Sequence, residues 1–150
     1  MRRTEVVKLT NMCMVYDGDK ILVQDKLDED FRGITFPGGH VEKDEPFTDA
    51  VIREVYEETG LTISSPELCG IKDWISDGGF RYVVLLYKTD QFAGSLKSSE
   101  EGEVFWITKK ELSDMELVHN MEALLQVFLD DSLSEFRYEK EDGKWEYQLK

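Results

Sequence analysis

The chain has 150 residues, of which 41% are hydrophobic and 33% are charged, and its formal net charge is −14. This length favours a single domain with a sizeable core, and this composition favours a soluble globular protein over a disordered one. No apolar run approaches the roughly 20 residues of a membrane span, and the acidic balance excludes the basic surface that binds nucleic-acid polymers.

The N-terminal segment and the two cysteines indicate the cellular compartment of the protein. The N-terminal segment MRRTEVVKLT has two arginines but no apolar core behind them, so we expect no secretory signal. The two cysteines, Cys13 and Cys69, lie in apolar, strand-like stretches and form no CxxC pair. We therefore expect reduced core thiols, a cytoplasmic location and no membrane partner.

The first half of the chain predicts a hairpin, a glycine corner and one long helix. Strands are expected at Thr4–Tyr16 and Lys20–Asp25, joined by an Asp-Gly turn. A polar loop at Lys26–Gly33 and a short extended segment at Ile34–Pro37 lead into Gly38-Gly39, where the backbone can turn freely. A helix is then expected at Phe47–Thr59, because proline suits its start and glycine its end. Its predicted apolar stripe is Ile52, Val55, Tyr56 and Thr59.

The second half predicts further strands and two helices. A polar loop is expected at Asp90–Gly102, and a capping box of Thr108 and Glu111 begins a helix at Lys109–Met115. A second, amphipathic helix is expected at Met121–Leu129. The predicted strands are Leu61–Ile63, Leu68–Ser76, Phe80–Thr89, Glu103–Ile107, Glu135–Tyr138 and Lys144–Tyr147. Helices mixed with hairpins predict an α/β protein with a mixed sheet covered by helices.

Three glutamates carry the chemical signal of the first helix. Glu54, Glu57 and Glu58 stand at helical offsets of zero, three and four, so they are near neighbours on the helix surface. Carboxylates that close repel one another unless a cation lies among them. Carboxylate oxygens suit Mg²⁺ or Mn²⁺, and these ions in turn suit a phosphate substrate.

The segment Gly39–Leu61, GHVEKDEPFTDAVIREVYEETGL, resembles the Nudix box, the signature of the Nudix (MutT-like) hydrolases. Its specified positions are filled by Gly39, Glu45, Arg53, Glu54, Val55, Glu57, Glu58, Gly60 and Leu61. The resemblance implies a single Nudix domain over residues 1–150, folded as an α/β/α sandwich with a mixed β-sheet. It also implies metal-assisted hydrolysis of a diphosphate linked to another group, with Mg²⁺ as the cofactor and Mn²⁺ as an alternative.

The resemblance assigns roles around this helix. It implies Glu54, Glu57 and Glu58 as metal ligands, the carbonyl of Gly38 as a further one, and either Glu54 or Glu57 as the general base. Glu45 and Arg53 are expected to form an ion pair that ties the loop to the helix and supports the site. A distal carboxylate is expected from Glu100, Glu101 or Glu103, with Glu101 ranked first because it directly precedes Gly102.

The residues that bind the part of the substrate away from the diphosphate are predicted less specifically. Asn11, Phe36, Gly39 and Asn120 are candidate substrate-binding residues. An asparagine offers both a donor and an acceptor, so Asn120 suits a purine edge, but its place before Met121 equally suits a helix N-cap. Trp74, Phe80, Tyr82 and Trp106 alternate on strands and are expected mainly in the core, although one of them could stack on a base.

The absence of the sequence marks of other family branches favours a small nucleotide, a nucleoside triphosphate, as substrate. The expected reaction releases the monophosphate and pyrophosphate. The expected substrates include oxidised nucleotides such as 8-oxo-dGTP. Two alternatives remain: hydrolysis of a sugar nucleotide or dinucleoside polyphosphate, and a non-catalytic, nucleotide-binding sensor. A homodimer is also left open.

Overall fold

The computed structural model describes residues 3–30 and 32–150, in which ten strands and three helices are formed. The strands are β1 (Val7–Asp17), β2 (Lys20–Lys26), β3 (Gly33–Thr35), β4 (Leu61–Ile63), β5 (Glu67–Ile75), β6 (Arg81–Thr89), β7 (Phe92–Gly94), β8 (Gly102–Thr108), β9 (Glu135–Glu141) and β10 (Lys144–Leu149). The helices are α1 (Phe47–Thr59), α2 (Lys109–Leu112) and α3 (Met121–Leu129). None of the helices in the described ranges is long and apolar enough to cross a membrane.

Eight of the strands form one mixed sheet. Seven follow the order β10-β9-β5-β6-β1-β2-β3, and β8 pairs with β2 along its whole length. The pairs β1–β6 and β5–β9 are parallel, and the other pairs are antiparallel. The short strands β4 and β7 form a separate antiparallel pair.

The sheet opens into a fork between β1 and β2. These two strands pair only at Tyr16–Ile21 and Asp17–Lys20. Farther along, β3 takes the edge of β2, while residues 37–41 take the edge of β1. The segment between β3 and α1 therefore crosses the mouth of the fork, which is a gap in the sheet between its two faces.

Each face of the sheet carries its own hydrophobic core. On one face, Val51 and Val55 of α1 pack against Cys13, Leu22 and Leu85 of the sheet. On the other face, α3 and the segment around α2 cover a second cluster, which includes Met14, Val23, Leu86, Phe128 and Phe136. This arrangement confirms the predicted α/β/α sandwich with a mixed sheet.

Helix α1 has the predicted bounds but a different buried face. It ends at Gly60, whose φ of 80° is the left-handed conformation that glycine adopts readily. The prediction for Tyr56 was wrong, because its side chain is 58% exposed, and Val51 is buried in its place. The buried face of the helix therefore includes Glu58, whose side chain is only 6% exposed.

Several other boundaries differ from expectation. Strand β1 begins at Val7 rather than Thr4, and β7 forms inside the predicted loop Asp90–Gly102 by pairing with β4. Helix α2 ends at Leu112, and single turns replace the rest of the predicted helix. The capping box of Thr108 and Glu111 is confirmed. Residue 31 of the predicted loop Lys26–Gly33 lies outside the described residues.

Candidate active site

A glycine corner lines the mouth of the fork. The backbone N–H of Asn11 donates to the carbonyl of Gly39 at 2.8 Å, and the N–H of Cys13 donates to that of Pro37 at 2.9 Å. A Cβ on Gly38 would overlap the backbone carbonyl of Asn11, and a Cβ on Gly39 would overlap the carboxyl group of Glu54. Both positions need glycine because the corner is pressed between β1 and α1.

Arg53 organises the carboxylates of α1. Its Nε and Nη2 donate to the two carboxylate oxygens of Glu45 at 2.8 and 3.1 Å. Its Nη1 donates to Glu54 at 3.1 Å and to Glu57 at 3.2 Å, and its Nη2 also donates to the carbonyl of His40 at 2.9 Å. The hydrogen bond from Arg53 lowers the pKa of Glu45, and these carboxylates together raise the pKa of the guanidinium. The expected pair of Glu45 and Arg53 is thus present as a bidentate ion pair.

Glu58 and Glu54 are the more buried carboxylates of the helix. One oxygen of Glu58 accepts the backbone N–H of Gly38 at 2.8 Å, which ties α1 to the glycine corner. Burial is the main cause that raises the pKa of Glu58 to about 7; the charges of Glu54 and Glu101 add to it, and the hydrogen bond from Gly38 opposes it. Burial also raises the pKa of Glu54, against the opposing effect of Arg53. Glu57, by contrast, keeps 54% of its side chain exposed.

These carboxylates meet the loop before β8 around one open cavity. Its volume is about 270 Å³, and it is lined by Glu54, Glu57, Glu58, Ser99, Glu100 and Glu101. We call it the carboxylate cavity. Of the three distal carboxylates that the sequence left open, Glu100 and Glu101 line this cavity and Glu103 does not.

The chemistry of the donor set suits a hard divalent cation. Within residues 3–30 and 32–150, no three His, Cys, Asp or Glu side chains converge closely enough to enclose a metal by themselves. Mg²⁺ does not require this, since it keeps several waters and takes one or two carboxylates plus substrate phosphates. Five carboxylates around one cavity, in a chain of net charge −14, provide oxygen ligands and a strong demand for positive charge.

Two of the predicted substrate-binding residues, Asn11 and Gly39, lie together at the glycine corner. The side-chain Oδ1 of Asn11 accepts the N–H of Gly39 at 3.1 Å, and its buried Nδ2 has no partner among the described residues. Phe36 is 2% exposed and packs edge-to-face on Phe128, with ring centroids 5.2 Å apart. The burial of Phe36 favours a core role over contact with a ligand.

Asn120 lies on the face of the sheet that carries α3, opposite the face that carries α1. It occupies the N-cap position of α3 in a left-handed conformation, with φ 61°, but its side chain makes no capping hydrogen bond. Its Nδ2 instead donates to the hydroxyl of Tyr138 at 2.8 Å. It also lines a second cavity, of about 360 Å³, together with His119 and Tyr147.

Sequence reasoning missed the surroundings of Asn120. Along the sheet face that carries α3, beyond the helix itself, aromatic and lysine side chains alternate, and each of them is partly buried or exposed. We call this surface the aromatic face, and it consists of Lys8, Lys72, Trp74, Tyr82, Tyr138, Lys140, Trp145 and Tyr147. Trp74 and Tyr82 stack on each other with centroids 4.4 Å apart. The sequence signal was present only as alternating aromatics, which are more often core residues.

Comparison with known proteins identifies the family. Residues 8–128 match the family model of the NUDIX domain. The chain belongs to the NUDIX domain family. It is 34% identical over 109 residues to the "Uncharacterized Nudix hydrolase YvcI" of Bacillus subtilis, and 37% identical over 79 residues to a "MutT-like protein" of Streptomyces ambofaciens. The first alignment covers 69% of this chain and 66% of that protein, and the second covers 52% and 49%. The chain thus spans no more than about two thirds of either relative.

A solved structure supports the same fold over nearly the whole chain. The MutT protein from Bacillus halodurans superposes with a TM-score of 0.77 at 28% identity, covering 95% of this chain and 97% of that one. The carboxylate cavity and the glycine corner lie inside the matched NUDIX residues 8–128. Strands β9 and β10 lie beyond them.

Proposed function

We propose that this Nudix protein is a metal-dependent pyrophosphohydrolase that cleaves a nucleoside triphosphate to the monophosphate and pyrophosphate. Oxidised nucleotides such as 8-oxo-dGTP fall within the proposed substrate class. The observation that carries the proposal is the carboxylate cavity, in which Arg53 and the glycine corner hold several glutamates at fixed positions.

Charge is the first argument for the metal. The cavity is lined by five glutamates and the chain carries a net charge of −14, so a bare diphosphate would be repelled from it. Bound Mg²⁺, or Mn²⁺ in its place, would neutralise the phosphates and acidify a bound water. The residues that would hold it are Glu54, Glu57, Glu58 and Glu101, with the carbonyl of Gly38.

The protein's own groups then have distinct tasks. Glu58 is fixed by the N–H of Gly38, so it suits a ligand of constant position. Glu57 is the most exposed of the three helix glutamates that line the cavity and can reach a water there, while Glu54 is the second candidate for the general base. Arg53 holds both candidates through Nη1, and Glu45 holds Arg53, so these two residues position the base.

The choice of a triphosphate rests on the absence of the sequence marks of other family branches, and the superposition of a MutT protein over 95% of this chain supports it. Hydrolysis of a sugar nucleotide or dinucleoside polyphosphate is the alternative that uses the same cavity. A non-catalytic nucleotide sensor would not need this full set of carboxylates, and their retention favours an enzyme. A single small nucleotide is the expected partner, and a cytoplasmic location, a homodimer and the exclusion of nucleic-acid polymers remain predictions.

A substrate screen tests the proposal. The purified chain would be incubated with Mg²⁺ and nucleoside triphosphates, 8-oxo-dGTP, sugar nucleotides or dinucleoside polyphosphates, and the products resolved by ion-exchange chromatography. We expect monophosphate and pyrophosphate from triphosphates, with no turnover in EDTA. The variant Glu57→Gln should lose at least about 100-fold in kcat, while Asp49→Asn, an equal loss of charge on the exposed first turn of α1, should not. Turnover by Glu57→Gln at the wild-type rate, or turnover in EDTA, would refute the assignment.

A further inference from the structure

Lys72 on β5 is a cation without a counterion. Its Nζ lies 5.0 Å from the ring centroid of Tyr138, 5.4 Å from that of Phe136 and 5.5 Å from that of Trp74. Among the described residues, the side chain of Lys72 makes no ion pair and no hydrogen bond, unlike those of Lys88 and Lys140. Burial lowers its pKa from 10.5 to about 8. The rings attract the charge but offer no acceptor to its three N–H groups, so they leave a donor available for a ligand.

No carboxylate of the neighbouring strands faces Lys72. Its sequence neighbour Asp73 points to the opposite face, where it accepts from Arg81 at 3.0 Å and from Arg137 at 2.7 Å. The partners that stand opposite Lys72 in the sheet are Val84 on β6 and Phe136 on β9. In a chain with an excess of 14 negative charges, a cationic and aromatic surface of this kind is suited to a planar, electron-rich group.

The C-terminal hairpin, β9 and β10, supplies much of this surface. Tyr138, Trp145 and Tyr147 come from it, and it lies beyond the residues that match the NUDIX domain. The hydroxyl of Tyr138 accepts from Asn120, which fixes the ring beside Lys72. The hairpin therefore brings aromatic side chains to Lys72 from outside the residues that match the family model.

The register of the sheet relates this surface to the carboxylate cavity. Thr10 on β1 pairs with Val84, and Val84 pairs with Lys72. Neighbouring strands lie ~4.8 Å apart, so Lys72 is roughly 10 Å across the sheet from Thr10. Asn11, the next residue, contacts the glycine corner at the fork where the two faces meet. The fork at Asn11 is therefore the place where a nucleotide would pass between the two regions.

We propose that Lys72 and Tyr138 select the base of the substrate, and that they favour a keto oxygen over an amino group at the same ring position. This inference rests on the proposed function, because the base is the far end of a nucleotide whose diphosphate lies at the carboxylate cavity. An ammonium group only donates hydrogen bonds. A keto oxygen accepts one, whereas an amino group at that position presents another donor, so an ammonium group directed at it makes no hydrogen bond there.

Inosine and adenosine triphosphates give the sharpest test, because they differ only in the keto or amino group of the six-membered ring and the adjacent ring proton. The ratio of their kcat/KM values would be measured for the wild type, Lys72→Met, Lys72→Arg and the control Lys140→Met. Lys140 carries the same charge on the same face, but it lies over Trp145 and pairs with Asp77 at 3.4 Å. We expect the wild type to prefer inosine triphosphate roughly tenfold or more, as one charge-assisted hydrogen bond allows.

The variants distinguish an effect on base selectivity from an effect on folding. Lys72→Met should bring the ratio close to one, while Lys72→Arg and Lys140→Met should keep the preference. Thermal unfolding of each variant shows that the fold is retained. A wild type without preference, or an equal preference in Lys72→Met, would overturn the inference.

A binding measurement distinguishes failure of the inference about Lys72 from failure of the proposed function. If neither triphosphate is hydrolysed, the proposed function fails, and the ratio of the two Kd values, measured by calorimetry with Mg²⁺, still reports the selectivity of Lys72. Sedimentation of the wild type and of Trp145→Ala tests the other occupant of the face, a second copy of the chain. A dimer that Trp145→Ala dissociates would also contradict the inference.

Discussion

Replacing Lys72 by methionine should make the protein more stable at neutral pH. Burial lowers the pKa of Lys72 from 10.5 to about 8, which means that the folded state disfavours the charged form. At ~1.4 kcal/mol per pKa unit, this difference is worth at most ~3.5 kcal/mol. Methionine has a similar length and no charge, but its introduction removes the cation–π contacts, each worth ~0.5–1 kcal/mol. Lys72 makes three such contacts, so we expect a net gain of ~0.5–2 kcal/mol at pH 7, or a rise in Tm of ~1–8 °C for a chain of this size.

The sign of the effect changes predictably with pH. Below pH 8, Lys72 is charged in both states and its unfavourable burial is fully present. Between pH 8 and 10.5, the unfolded chain binds more protons than the folded protein, so this group's contribution to the free energy of unfolding rises with pH. The advantage of Lys72→Met over the wild type should therefore shrink between pH 7 and pH 10.

Urea denaturation of both proteins at pH 7 and pH 10 measures this difference directly. Using the difference between two proteins cancels the titration of the buried tyrosines and cysteines that they share. A variant that is less stable than the wild type at pH 7, or an advantage that does not change with pH, would show that Lys72 is satisfied in the folded protein. Lys72 would then be a structural residue.

Two further predictions concern the support of the carboxylate cavity. Arg53→Lys keeps the charge but loses the bidentate pair with Glu45, so we expect turnover to fall roughly 10- to 100-fold while Tm changes little. Pyrophosphate release measures the turnover, and thermal unfolding measures Tm. Full activity of this variant would contradict the positioning role of Arg53. Gly38→Ala should cost ~1–3 kcal/mol in urea denaturation, because the added Cβ would overlap the carbonyl of Asn11. Gly78→Ala meets no atom closer than 3.2 Å and should cost less, and an equal loss in both variants would contradict this account of the corner.

Features made by residues close together in the chain were predictable from the sequence. The bonds from Arg53 reach Glu45, Glu54 and Glu57, all within eight residues of it, so spacing on a helix and in its leading loop was enough to place them. The bounds of α1 follow from Pro46 and Gly60 in the same way. The capping box before α2 is local as well.

Features made by distant residues were not predictable. The burial of Glu58 depends on Gly38, which is 20 residues away, and no pattern on the helix alone distinguishes it from a solvated acid. Lys72 is notable only because Phe136 and Tyr138 arrive beside it from β9. Asn120 has the composition of an N-cap, but its side chain donates to Tyr138 instead. Strand β7 exists because β4 provides an edge about 30 residues earlier.

The two proposals place reaction and selection on opposite sides of one sheet. On β1, Asn11 contacts the glycine corner beside the acidic helix, while Thr10 points to the face that carries Lys72. Because the carboxylate cavity and the aromatic face share no side chain, changes at the two regions should have separable effects. Loss of Glu57 should abolish hydrolysis of every nucleotide alike, whereas loss of Lys72 should change the order of preference among nucleotides and leave the dependence on metal unaltered. A substitution at Lys72 that altered the metal requirement would show that the two regions are coupled through β1.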